Sequence, residues 1–186
     1  MNAPTIIANQ KPKISVADLF HLIEAGVMDP EAKFELIEGW IVPMSPQGPL
    51  HQDIQNWLAK QFERKLGDRY WVSQGATLIL PDHTALDPDI CIFPIELSAN
   101  DLSGDKVALV VEISVTSKAY DLGQKASLYA RMAVPELWVI DATARTTHVH
   151  RGPHEGGWRE ILRVPADGVL SLVAAPDLAM RIADAG

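Results

Sequence analysis

The stretch LVVEISVTSKAYDLGQKASLYA, residues 109–130, places two charges where a hydrophobic core is expected. Glu112 interrupts the apolar run at 109–113, which is typical of a buried strand. Because successive strand residues alternate between two faces, Glu112 points to the same side as Val110 and Ser114. A buried carboxylate is strongly unfavourable unless a cation or hydrogen-bond donors compensate for its lost hydration. Glu112 therefore requires a partner.

The second half of the stretch predicts a helix at about 121–133, with Asp121 as its N-cap and Gln124 completing a capping box. Lys125 falls on the apolar stripe of this helix, because its neighbours at helical spacing include Tyr129. A lysine in the first turn also opposes the helix dipole. Two charges that break local rules favour a functional site, where such breaches are concentrated.

A third carboxylate comes from LDPDICIF, residues 86–93, where Asp89 precedes an apolar strand. If this strand lies beside that of Glu112, the two carboxylates converge and repel each other unless a divalent cation lies between them. Mg²⁺ prefers such oxygen ligands. Spacing alone is equally compatible with purely structural roles. Asp89 could be a turn residue, Glu112 an edge-strand residue in contact with water, and Lys125 a snorkelling partner in a plain salt bridge.

The rest of the chain predicts helices at 15–26 and 50–66, a hairpin turning at Glu38–Gly39, and a terminal β meander. The predicted order is α-ββ-α-ββ-β-α-β-βββ. This order indicates an α/β chain in the sense of an α+β mixed sheet with helices packed against it. We expect a flexible arm at 1–14 and a single domain at 15–186.

Composition narrows the class of protein. The 186 residues, 47% of them hydrophobic, suit one domain with a sizeable core. The single cysteine excludes an intramolecular disulfide, and the N-terminus lacks the order of a signal peptide, so a cytoplasmic protein without a membrane span is expected. A net charge of −8 disfavours non-specific binding of nucleic acid. Basic residues near 60–69 and 118–131 could nevertheless form a local phosphate-binding groove.

The motif residues resemble the PD-(D/E)xK nuclease superfamily. Pro88-Asp89 is followed by Glu112-Ile113-Ser114, with serine where the superfamily has lysine. The wider order is FELIEGWIVPMSPQGPLHQ, then LDPDICIF, then LVVEISVTSKAYDLGQKASLYARMAVPELWVID, and it is similar to the Uma-type restriction endonuclease family. The resemblance covers about residues 15–175. It implies the restriction-endonuclease-like αβββαβ core, with an N-terminal helix and hairpin and a C-terminal β meander.

The resemblance also implies a reaction, the Mg²⁺-dependent hydrolysis of phosphodiester bonds by an endodeoxyribonuclease. DNA is favoured over RNA as substrate, and Mn²⁺ is an expected substitute cation. Asp89 and Glu112 would bind the metal, with the backbone carbonyl of Ile113 as a third ligand. Lys125 matches a lysine that has moved from the strand to the following helix. It would position the attacking water and stabilise charge on the phosphoryl oxygens.

Three weaker candidates could assist the site: Gln124, His51 at the start of the long helix, and Glu38 in the hairpin. Ordinary structural roles, as a helix-terminal residue for His51 and a turn charge for Glu38, are favoured over direct catalysis. An alternative function is a non-catalytic nucleic-acid-binding or assembly module that keeps the nuclease fold. The acidic composition and Ser114 at the lysine position favour it. A homodimer is a further expectation, since edge strands and Trp-rich surfaces often pair.

Overall fold

The computed structural model describes residues 13–29, 32–44, 46–98 and 101–185. The arm predicted at 1–14 therefore lies outside the described residues, except for its last two. Ile14 is already held in place, because its amide donates to the Gly39 carbonyl at 3.1 Å and its carbonyl lies 3.0 Å from Nδ1 of His83. No helix in the described ranges is long and apolar enough to cross a membrane.

The described ranges alternate helices with short strands. The helices are α1 (Val16–Glu24), α2 (Pro49–Leu66), α3 (Lys118–Tyr120) and α4 (Ala126–Arg131), and a π-helical turn (Asp121–Lys125) joins α3 to α4. The strands are β1 (Phe34–Ile37), β2 (Trp40–Pro43), β3 (Tyr70–Ser73), β4 (Leu78–Leu80), β5 (Thr84–Leu86), β6 (Ile90–Pro94), β7 (Leu109–Ser114), β8 (Glu136–Asp141), β9 (Thr146–His154), β10 (Gly157–Val164), β11 (Leu170–Leu172) and β12 (Ala175–Met180).

The main sheet has six strands in the order β10-β9-β8-β7-β6-β3. β7 and β8 are parallel, and the other neighbouring pairs are antiparallel. Following the chain, α2, β3, β6, β7, the α3–α4 segment and β8 give the order αβββαβ. This confirms the predicted mixed sheet and its core. A four-stranded sheet, β2-β1-β5-β4, and the β11–β12 pair complete the described strands.

The two faces of the main sheet are covered by different helices. α2 contributes Ile54, Leu58 and Phe62 to the cluster that includes Val111 of β7. On the other face, α4 packs with Val110. The alternation predicted for β7 is thus confirmed. Phe62 is fully buried and meets the Trp138 ring at 5.7 Å, so truncating it to alanine should cost about 3–5 kcal/mol.

Local signals in the N-terminal part behave as the sequence predicts. Ser15 caps α1 and forms a capping box with Asp18. The β1–β2 hairpin turns at Glu38 and Gly39, whose φ angles of 50° and 85° suit a tight two-residue turn. Glycine is required at the second position also because an added Cβ would lie 2.5 Å from the Cβ of Lys13.

The structure extends the strand predictions in three places. The segment at 70–80, for which the sequence predicts one strand or a bent pair, is a bent pair divided between two sheets, since β3 joins the main sheet and β4 the four-stranded one. The terminal meander is also divided, because β9 and β10 extend the main sheet whereas β11 pairs with β12. The short strands β5 and β12 were not predicted.

Candidate active site

Asp89 and Glu112 face each other at one end of the β6–β7 ladder. Ile90 pairs with Val111, so the next step outward places Asp89 opposite Glu112. Oδ2 of Asp89 accepts a 2.6 Å hydrogen bond from the Ile113 amide. The two acidic residues are only 7% and 4% exposed. The interpretation of Glu112 as an edge-strand residue in water is therefore wrong, because β7 is an interior strand.

Lys125 reaches this pair from the helical segment. Its Nζ lies 2.8 Å from Oε1 of Glu112 and 2.9 Å from Oε1 of Glu35. Lys125 is 3% exposed, so it does not snorkel to solvent. The Tyr129 hydroxyl also donates to Oε1 of Glu112, and the Asp87 amide donates to Oε1 of Glu35 at 3.1 Å. One ammonium is thus held between two buried carboxylates.

The capping box predicted at Asp121 is wrong, and the actual arrangement explains the position of Lys125. The helical segment begins at Lys118, and Asp121 lies inside it at the start of the π-helical turn. Its buried carboxylate accepts hydrogen bonds from the hydroxyls of Ser114 and Ser117, each at 2.5 Å. π-helical turns often occur at functional sites because they change which residues face inward. Ser114, at the superfamily's lysine position, thus ties the strand to the turn that carries Lys125.

Asp89 is held by side chains from the β2–α2 loop and from α2. Nε2 of Gln47 donates to its Oδ1 at 2.9 Å, and Nε2 of His51 lies 3.0 Å from its Oδ2. Nε2 of Gln55 donates to the Asp89 carbonyl at 2.7 Å. His51 is therefore in contact with the acidic cluster, as a supporting residue would be. Its buried Nδ1 has no hydrogen-bond partner among the described residues.

The electrostatics of the cluster follow from burial and like charge. Burial raises the pKa of Glu112 to about 8, and although the Lys125 ammonium opposes this shift, the charges of Asp89 and Glu35 add to it. Burial likewise raises the pKa of Glu35, against the attraction of Lys125. Burial alone would lower the pKa of Lys125, but the charges of Glu112 and Glu35 outweigh it and raise the pKa. The two carboxylates therefore favour the protonated, cationic form of Lys125.

These residues form the floor of a cleft of about 550 Å³. One wall is formed by residues 42–44 and 46–50, between β2 and the start of α2, and the other by residues 115–117 with Tyr120 of α3. The floor carries Glu35, Asp89, Glu112 and Lys125. An apolar cleft with a few convergent polar groups is the usual form of a small-molecule or substrate site.

The donors in the cleft suit a hard cation. Three carboxylates, those of Glu35, Asp89 and Glu112, stand against one ammonium, and carboxylate oxygens are the ligands that Mg²⁺ takes. Within the described part of the chain, both hydrogen bonds of Glu112 fall on Oε1, so Oε2 remains available. No group of three or more His, Cys, Asp or Glu side chains in the described ranges is arranged to hold an ion by side chains alone. A cation here would need backbone or water oxygens as well, which Mg²⁺ commonly uses.

Comparisons with known proteins identify the family and a similar fold. A family model, "Uma2: Putative restriction endonuclease", matches residues 17–183. The chain belongs to the Uma2 family. The crystal structure of a "putative nuclease belonging to DUF820" from Anabaena variabilis is similar, with a TM-score of 0.74 and 20% identity over 92% of this chain and 97% of that one. At this identity the likeness concerns the fold. No curated protein matches the chain.

Two residues predicted for this Uma2 chain's site lie away from the cluster, and one was missed. Glu38 is exposed on the hairpin turn and pairs with Arg131 at 2.9 Å. Gln124 is exposed on the π-helical turn and does not line the cleft. Glu35, three residues before Glu38, is the hairpin acid that contacts Lys125. The sequence gives the same signal for Glu35 as for Glu112, namely a glutamate inside an apolar strand.

Proposed function

We propose that the chain is a divalent-cation-dependent nuclease that hydrolyses phosphodiester bonds of DNA, with Mg²⁺ as the cation and Mn²⁺ as a substitute. The observation that carries the proposal is the contact of Lys125 with Glu112 and Glu35 on the floor of a cleft, directly beside Asp89. Membership of the Uma2 family and the similar nuclease fold support the reaction class. The choice of DNA rests on the description of the family.

Asp89 and Glu112 would hold the cation, with the Ile113 carbonyl as a further oxygen donor. When bound, Mg²⁺ supplies Lewis-acid polarisation of the phosphoryl group and a more acidic water. Asp89 is well placed for this role, because the Ile113 amide, Gln47 and His51 fix its orientation while a carboxylate retains further lone pairs.

Lys125 would supply a positive charge to the phosphoryl oxygens as negative charge develops on them. Its side chain is held by two carboxylates at 2.8 and 2.9 Å, so it needs little reorganisation when substrate binds. Glu35 acts through Lys125 and is therefore a positioning residue. Tyr129 plays the corresponding part for Glu112, since its hydroxyl donates to the carboxylate from α4.

The test is cleavage of labelled DNA by the full chain with Mg²⁺, with Mn²⁺ and with a chelator. Replacing Asp89 with Asn should lower the rate by about 10²–10³-fold, the usual effect of removing one charge-stabilising group. The matched control is Asp177→Asn, since Asp177 is exposed on β12 and does not line the cleft. The control should retain its activity.

The same experiment separates nuclease activity from the alternative of a non-catalytic binding module. DNA cleavage that persists in the chelator, or an unchanged cleavage rate in the Asp89→Asn variant, would contradict the assignment of these residues as the active site. Nucleic acid binding with no cutting under any metal would instead favour the binding module. Analytical ultracentrifugation of the same preparation tests the predicted homodimer.

A further inference from the structure

We propose that the cleft accepts a nucleotide of an unpaired strand, with its base against the apolar walls and its phosphate at the acidic floor. The inference rests on the proposed nuclease function and names the form of nucleic acid on which it acts. Paired duplex is excluded as the direct substrate unless a nucleotide first leaves the stack. Three features of the cleft lead to this conclusion.

The first feature is depth. The groups that would act on the phosphate are almost fully covered, with exposed fractions of 3% for Lys125, 4% for Glu112 and 7% for Asp89. A phosphate must enter the cleft that they line to reach them. In a duplex, pairing and stacking hold the nucleotide on the helix, and enzymes that act at buried sites must flip it out. An unpaired strand can bend into the cleft without the free-energy cost of unpairing and unstacking a nucleotide.

The second feature is the chemistry of the walls. The apolar residues of the walls are half-buried at Val42 and Met44 and exposed at the others: Pro43, Pro46, Pro49, Leu50, Val115. Leu50 is 38% exposed and Val115 is 43% exposed, on opposite walls. Flipped or unpaired bases bind between apolar or aromatic surfaces, because the face of every base is itself weakly hydrated.

The third feature is the distribution of positive charge. Lys125, on the floor, is the one lysine or arginine among the described residues that line the cleft. The exposed basic residues Lys60, Arg64 and Lys65 lie further along α2 than His51. At about 1.5 Å per residue, Lys60 is about 13 Å along the helix from the cleft. Among the described residues that line the cleft, no lysine or arginine besides Lys125 can make the phosphate contacts that duplex-binding surfaces use.

Tyr120 provides a polar group among these apolar walls. Tyr120 lines the cleft, and its buried hydroxyl has no hydrogen-bond partner among the described residues. A base edge or a phosphate oxygen in the cleft would give this hydroxyl a partner.

The decisive experiment compares cleavage of one sequence in three forms: single-stranded, fully paired, and paired with a central unpaired loop. The full chain is used with Mn²⁺, and each form is prepared as DNA and as RNA. The single strand and the loop should be cut at least about tenfold faster than the paired form, with cuts confined to unpaired nucleotides. Equal or faster cutting of the paired form would overturn this inference and leave the proposed function standing. No cutting of any form would overturn the proposed function as well.

A pair of variants tests the role of the walls. Val115→Ser should raise KM for the single strand by about three- to tenfold with kcat little changed, because a base loses an apolar contact. The matched control is Val173→Ser, at a residue that is 59% exposed and does not line the cleft. The control should leave both constants unchanged. Equal KM values in the two variants would overturn the assignment of the walls to base binding.

Discussion

Two buried glutamates lie on neighbouring parallel strands, Glu112 on β7 and Glu136 on β8. Glu136 is fully buried and satisfied at both oxygens. Its Oε1 accepts from the Trp138 indole at 2.7 Å and from Arg151 at 3.0 Å, and its Oε2 accepts from the Val173 amide at 2.8 Å. Both hydrogen bonds of Glu112 within the described residues fall on one oxygen, and Glu112 lines the cleft.

The difference shows that burial of a carboxylate does not by itself indicate function. Glu136 joins β8, β9 and the β11–β12 turn through its donors, so its charge serves the fold. Glu112 has one cation beside it and two further carboxylates nearby, and burial raises its pKa to about 8. Its surroundings leave one carboxylate oxygen available to a ligand. The following predictions test this contrast.

The largest effect is expected at Glu136. Glu136→Gln removes the negative charge that pairs with Arg151 and weakens the hydrogen bonds that Trp138 and the Val173 amide donate to this side chain. Breaking a buried ion pair in this way costs about 3–5 kcal/mol. The free energy of unfolding, measured by urea denaturation, should fall by that amount. The rate of DNA cleavage per folded molecule should not change. A loss of activity in the folded fraction would mean that Glu136 also serves the site.

The reverse pattern is expected at Glu112. Glu112→Gln should lower the cleavage rate by about 10²–10³-fold, equivalent to about 2.7–4 kcal/mol of transition-state stabilisation. Its stability at neutral pH should be at least that of the parent chain, because an amide retains a hydrogen-bond acceptor and removes repulsion from Asp89 and Glu35. A variant that unfolds as readily as Glu136→Gln would contradict the contrast between the two residues.

The sequence predicted Glu112 and Lys125 as a pair because both depend on local periodicity. Strand alternation orients Glu112, and helical spacing orients Lys125, within 14 residues of each other. The position of Asp89 required one further assumption, the adjacency of β6 and β7. The resemblance supplied the αβββαβ order, which the structure confirms.

Glu35 could not be placed from periodicity, because its contact with Lys125 depends on how a second sheet packs against the first. β1 pairs with β5 through a single register pair, Leu36 with Ala85, across a long stretch of chain. β5 is only three residues long and carries little signal of its own. The π-helical turn was missed for a similar reason, since it depends on hydrogen bonds from Ser114 and Ser117 to Asp121.

A smaller effect should appear in the pH dependence of stability. The raised pKa of Glu112 means that its contribution is fully present below its unfolded pKa of about 4.5 and is lost as pH rises towards about 8. In the presence of a chelator, the free energy of unfolding of the parent chain minus that of the Glu112→Gln variant should therefore fall as pH rises across this window. A change of one bound proton corresponds to about 1.4 kcal/mol per pH unit. Burial also raises the pKa of Glu35, which shares Lys125 with Glu112, so its titration adds to the difference in the same window. Burial lowers the pKa of His148 and His150, but both proteins share this effect, so it cancels. A flat difference would mean that Lys125 keeps Glu112 ionised throughout.

The smallest effect concerns the position of the lysine. Lys125→Gln should lose most of the cleavage activity, because the floor of the cleft then carries no cation. Adding Ser114→Lys to this variant supplies an ammonium from the same strand face as Glu112. The double variant should cleave DNA about tenfold faster than Lys125→Gln alone, which is equivalent to about 1.4 kcal/mol.

This recovery should be incomplete, because Ser114 is fully buried and its hydroxyl donates to Asp121 at 2.5 Å. A larger side chain at this position also strains the packing. Ser114→Ala in the Lys125→Gln background is the control, and equal rates for the two double variants would show that the location of the ammonium, not its presence, limits the reaction.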